Sequence, residues 1–103
     1  MNALIHLFFI LLVGWHTGTY TRHIDTAGYT SWTLQTACQS RNRNDSVYIS
    51  LLIGRKYVET FQQTCDGTVT TQTFGANVIS ERVTILVEGK RGDDTMLYAF
   101  PGA

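Results

Sequence analysis

Proline occurs once in the 103 residues, cysteine twice and histidine three times, and eight basic side chains are balanced by eight acidic ones. Each scarcity excludes something. A chain with no net charge lacks the basic face that displaces counterions from phosphates, so nucleic acid is not an expected partner. Two cysteines and three histidines supply too few ligands for a zinc site once the N-terminal segment discussed below is set apart. Glycine-rich phosphate loops are missing. The length itself allows one small domain, because so short a chain cannot divide its apolar residues between two cores.

Charge is also missing locally. Residues 1–19, MNALIHLFFILLVGWHTGT, hold no Lys, Arg, Asp or Glu, and Leu4 to Val13 are apolar except for His6. Such a run is short of the roughly 20 residues that cross a bilayer as a helix and fits the h-region of a secretory signal peptide. The sequence therefore divides into a leader, 1–19, with its boundary between 14 and 21, and a mature domain, 20–103. Thr17 with Thr19, or Thr19 with Thr21, supplies the small residues of a cleavage site, although the n-region carries no Lys or Arg. An uncleaved anchor and a buried core helix are the competing readings, and a membrane is a partner only if the leader is retained. Cleavage leaves about 84 residues that end at Phe100-Pro101-Gly102-Ala103. That ending has no retention tetrapeptide, prenylation box or lipid-anchor tail, so the expected location is the secretory pathway, in the ER lumen or outside the cell.

What the remainder does contain is alternation. Trp32, Leu34, Thr36 and Cys38 share one parity, as do Val47, Ile49, Leu51 and Ile53; Tyr57, Phe61 and Cys65 share another. Val83, Ile85 and Val87 mark a later strand, and Met96, Tyr98 and Phe100 the last. Period two with β-branched and aromatic residues fits half-buried strands, and helical spacing is poorly matched. Asp66-Gly67 is the pair favoured by a two-residue type I′ hairpin, which would place Cys65 opposite Thr68. Gly75-Ala76-Asn77 and Glu88 to Asp94 read as turns, and Gln39 to Asp45 as a polar loop. Six or seven short strands at these intervals predict a small all-β sandwich.

So small a sandwich gives the two cysteines weight. In an oxidising lumen Cys38 and Cys65 have only each other as partner, and closing their loop is worth about 3.5 kcal/mol in the chain-entropy model. Reduced buried thiols are the alternative. With those thiols oxidised and only His23 left in the mature chain, no nucleophilic pair is available, so no enzyme, cofactor, metal or small-molecule substrate is expected. Asn44-Asp45-Ser46 is an N-glycosylation sequon at the end of the polar loop. Arg91-Gly92-Asp93 at a hairpin tip would present a cation and a carboxylate to an integrin-type receptor, and the same letters are ordinary turn chemistry.

Three stretches carry a family resemblance. Tyr48-Ile49-Ser50-Leu51-Leu52-Ile53-Gly54-Arg55-Lys56, Phe61-Gln62-Gln63-Thr64-Cys65-Asp66-Gly67 and Val78 to Val87 are similar to segments of the small immunoglobulin-like accessory proteins of SARS-related coronaviruses. The likeness spans Cys38 to Val87, about half the chain, and Cys38 would match the family cysteine that pairs at the second segment. It implies an immunoglobulin-like fold and a non-enzymatic, secreted or lumenal viral accessory protein that binds host proteins and modulates innate immune, interferon-linked responses. The chain departs from the family in having one possible disulfide where members usually have at least two, which leaves packing around Trp32 or Tyr57 to replace the second.

Overall fold

Alternating β-branched and aromatic residues form eight strands here, and the described residues contain no helix. A computed structural model describes residues 10–26, 28–75 and 82–102. The strands are β1 (Leu11–Thr17), β2 (Tyr20–Ile24), β3 (Trp32–Gln39), β4 (Ser46–Ile53), β5 (Lys56–Thr64), β6 (Asp66–Phe74), β7 (Val83–Glu88) and β8 (Asp94–Pro101). They make two antiparallel four-stranded sheets, β1-β8-β3-β6 and β2-β7-β4-β5. The expected all-β sandwich is present, with eight strands in place of six or seven.

Its connections follow one rule. β4 pairs with β5, β3 with β6, β2 with β7 and β1 with β8, so the chain is a long hairpin wound upon itself. Only β4 and β5 are consecutive within one sheet; every other connection crosses between sheets. This is the strand order of a double-sheet jelly roll.

The core lies between the sheets. Trp32 and Leu34 of β3, Val47, Ile49 and Leu51 of β4, Val83, Ile85 and Val87 of β7, and Leu97 of β8 are all fully buried. Three of the parities read in the sequence are therefore the inward ones. Trp32 also stacks on Phe74 with ring centroids 4.7 Å apart, which fixes the end of β6 against β3. Its indole N–H is buried without a partner, at a cost of about 1–3 kcal/mol relative to a satisfied donor. Trp32 is thus enclosed in the core, whereas Tyr57 is 56% exposed.

Two polar ties and one covalent tie join the sheets. The Tyr20 hydroxyl meets the Thr95 hydroxyl at 2.7 Å, linking β2 to β8. Burial, the larger influence, pushes the Tyr20 phenol above its ordinary pKa, while the Thr95 hydrogen bond and nearby Arg22 act in the other direction. In β3 the Thr36 hydroxyl donates to Gln63 Oε1 of β5 at 2.8 Å, and Gln63 Nε2 donates to the Thr68 carbonyl at 3.1 Å. Beside this pair, Cys38 and Cys65 form a disulfide with 4.2 Å between Cα atoms. A disulfide is consistent with an oxidising secretory compartment.

Three expectations are corrected. Asp66-Gly67 makes no hairpin, because β5 and β6 belong to different sheets and Asp66 has no positive φ, which a type I′ turn requires. Instead the Asp66 carboxylate accepts from the Thr68 N–H at 3.1 Å and hydroxyl at 2.7 Å, turning the chain into β6. Tyr57 leaves the parity of Phe61 because a register shift between Leu51 and Leu52 inserts an extra β5 residue, facing Tyr57 outward opposite Leu52. In β8 the buried parity is Thr95, Leu97 and Ala99, so Met96, Tyr98 and Phe100 stand on the other side, half-buried. Leu11–Thr17, within the stretch 1–19, pairs with β8 and buries Val13. The boundary at residue 19 falls between β1 and β2, and residues 1–9 lie outside the described residues, as do Ala76 and Asn77 of one expected turn.

Candidate functional site: a loop cleft and an uncharged sheet face

The loop Ser40–Asp45 and the connection Gly89–Asp93 meet at one end of the sandwich. They border an open cleft of about 680 Å³ whose walls carry Arg41, Lys90 and Arg91 together with Asp45 and Asp94. Lys90 reaches Asp45 at 3.5 Å, a mostly solvated pair worth less than about 1 kcal/mol. Arg43 donates to the Asp66 carbonyl at 3.1 Å, which ties the loop to the start of β6.

Arg91-Gly92-Asp93 sits here, and the structure does not present it as the sequence suggested. Asp93 is 1% exposed, and its carboxylate accepts from the Lys90 N–H at 3.4 Å. The Asp93 N–H donates to the Lys90 carbonyl at 3.0 Å, closing the turn. The end of β1 and the residues that follow it then lash it down: Gly18 N–H donates to the Asp93 carbonyl at 3.1 Å, and Gly92 N–H to the Thr17 hydroxyl at 2.7 Å. Thr19 exchanges hydrogen bonds with the Gly89 backbone at 3.0 and 3.1 Å. A Cβ at Gly89 would lie 2.6 Å from Val47, so the connection also needs glycine for space. The tripeptide is turn chemistry, with its carboxylate turned inward.

Asn44 is exposed within the loop, where Asn42 Oδ1 accepts the Asn44 N–H at 3.0 Å and Asn42 Nδ2 donates to Asp45 at 3.1 Å. The sequon is therefore held on an ordered, open turn. His23 lies in β2 with its Nδ1 2.9 Å from the Thr84 hydroxyl. Among the described residues there is no group of three or more His, Cys, Asp or Glu able to hold a metal ion.

A second feature was missed by sequence reasoning. On the outer face of the first sheet, Leu12, Tyr98, Gln35 and Thr71 lie in one row across β1, β8, β3 and β6. Flanking rows run Met96, Ala37, Val69 and Phe100, Thr33, Thr73. None of these positions is charged. Charge begins only at the next row, Asp94, Gln39 and Asp66, which forms a polar rim. Leu12 and Val69 are 58% and 55% exposed, and Trp15 at the bulge of β1 is 48% exposed. The signal was present in the mixed apolar run Met96 to Phe100, which carries apolar residues on both parities and so buries one set and displays the other. The outer face of the second sheet pairs the Ser50 and Thr60 hydroxyls at 3.0 Å and His23 with Thr84, and it also shows the exposed Tyr48 and Tyr57, with Glu88 in the row of Tyr48.

No family model, curated protein or solved structure matches the chain.

Proposed function

We propose that the chain is a non-enzymatic, disulfide-stabilised β-sandwich module of the secretory pathway that binds another protein through the outer face of its first sheet. The observation that carries this is the uncharged face itself, with exposed Val69, half-buried Met96, Tyr98 and Phe100, and a charged rim at one end. Depletion of charge with aromatic and Met enrichment distinguishes the centre of protein interfaces from ordinary surface. Contiguous exposed apolar patches mark binding sites in small soluble proteins.

The resemblance to coronavirus accessory proteins extends the reading: the partner is a host protein, and binding damps interferon-linked responses. Secretion makes Asn44 a glycan acceptor on the exposed loop that follows β3. An interferon-response reporter in cells expressing the chain tests it. Wild type is expected to lower the response and Met96→Lys, on the same face within 20–103, to restore it with the secreted yield unchanged. A response unaffected by wild type overturns the immune reading, and a Met96→Lys variant that acts like wild type overturns the face.

A second reading has its own observation. Leu11–Thr17 forms β1 and holds the Gly92 turn, so a chain that keeps these residues retains at least part of the apolar leader. The intact mass of protein from mammalian cells decides it. Loss of about nineteen residues supports a cleaved leader; retention supports a signal-anchored, membrane-associated protein. The same spectrum reports a glycan on Asn44.

A further inference from the structure

Each sheet ends in two edge strands, and three of the four edges carry a device that discourages further pairing. β1 is broken by a register shift between Val13 and His16. β2 has only five residues and bears Arg22 and His23. β5 carries Lys56 and Glu59 and the bulge opposite Leu51 and Leu52. β6 is different. Its nine residues, Asp66–Phe74, are uncharged from Gly67 onward and contain no proline. The register shift against β3 lies at its start, which leaves Val69 to Phe74 in regular pairing. Gln63 covers the Thr68 carbonyl, and Phe74 is locked against Trp32, so the stretch between is straight and held in place. Among the described residues, no strand pairs with its other side.

We propose that β6 is where two copies of this chain pair, edge to edge and antiparallel. In an antiparallel ladder every second residue directs both its N–H and its C=O away from the strand already paired, so the open side of β6 is a row of unmet donors and acceptors. A two-fold axis near Thr71 sets Thr71 beside its own copy, Val69 opposite Thr73 and Thr70 opposite Gln72. Threonine and β-branched cross-strand pairs are favourable. A second copy is the fitting occupant because a strand identical to itself must avoid like charges across the axis, and this one has none to oppose. Pairing also joins the two uncharged outer faces into one eight-stranded surface, so the dimer enlarges a patch that each copy already displays. The inference stands independently of what that patch binds.

The test is the mass in solution of the secreted full chain, by sedimentation at concentrations up to about 100 μM, a range that captures interfaces of small area. The expected result is a reversible dimer of twice the chain mass. Thr71→Lys and Thr71→Glu are each expected to be monomeric, since like charges then meet on the axis, and an equimolar mixture of the two is expected to recover the dimer. Recovery on mixing shows that both variants fold. A wild-type chain that stays monomeric, a dimer that survives Thr71→Lys, or a mixture that stays monomeric overturns the proposal. So does a chain found monomeric with the strand of a different protein on β6.

Discussion

β3 and β5 are joined by a hydrogen bond and flank the same disulfide, yet they live in different surroundings. β3 is central in its sheet, with β8 on one side and β6 on the other, and seven of its eight residues are buried or half-buried. β5 is an edge with one neighbour, and only Gln63 of its nine residues is buried. The lesson is that stability in this molecule is set by position in the sheet more than by residue type. Trp32 in β3 and Tyr57 in β5 are both large aromatics, and one is fully enclosed while the other faces water.

The sharpest way to break this contrast is at Trp32. Trp32→Ala is expected to cost about 3–5 kcal/mol in denaturant unfolding, because the cavity lies where β3 and β6 meet and cannot easily collapse. A loss under about 1 kcal/mol would contradict the burial described above. Next comes the covalent tie: the paired Cys38→Ala and Cys65→Ala variant should lose about 3.5 kcal/mol relative to the oxidised chain. Thermal melts with and without reductant check the same quantity.

Tyr20→Phe should be milder, about 1 kcal/mol, since one buried hydrogen bond to Thr95 is lost. Its pH signature is more specific. Burial raises the folded pKa of Tyr20, so the folded state favours the protonated phenol. Its contribution is full below the unfolded value near 10 and is lost as pH rises through the raised folded value. Chemical denaturation across the alkaline range should show a decline for wild type that is smaller in the variant. Smallest of all is Tyr57→Ala, expected within about 0.5 kcal/mol of wild type, as for other exposed side chains. A cost as large as that of Trp32→Ala would erase the distinction between centre and edge.

How much of this was legible in the sequence follows the same division. The inner parities of β3, β4 and β7 could be read because large or β-branched apolar residues recur at every second position, as in Val83, Ile85 and Val87, even though Leu52 and Leu86 stand on the other parity. The parity of β8 could not, since Met96 to Phe100 is apolar on both faces and only the neighbours decide which set turns inward. The position of Tyr57 depends on a bulge, which leaves no mark in composition. Asp66-Gly67 carried the right residues for a tight turn, but Thr68 offered the carboxylate a local partner and the chain crossed to the other sheet. The disulfide was legible from count and compartment. The buried carboxylate of Asp93 was not, because its burial depends on Thr17 and Gly18, more than seventy residues earlier.

The nested pairing of β1 with β8 and β2 with β7 has a temporal consequence. A chain emerging from the ribosome offers β1 long before it offers β8, so the outermost pair cannot close until β8 has been made. Structures dominated by such distant pairings fold slowly, because loop-closure entropy must be met before the contacts form. Cys38 and Cys65 escape this delay: both precede β7 and β8 in the chain, so their pairing does not wait on those strands. The bond between them can fix the inner hairpin first and leave the later strands a template to wrap. The innermost strands of this molecule can thus be the first to pair, and β1 and β8 the last.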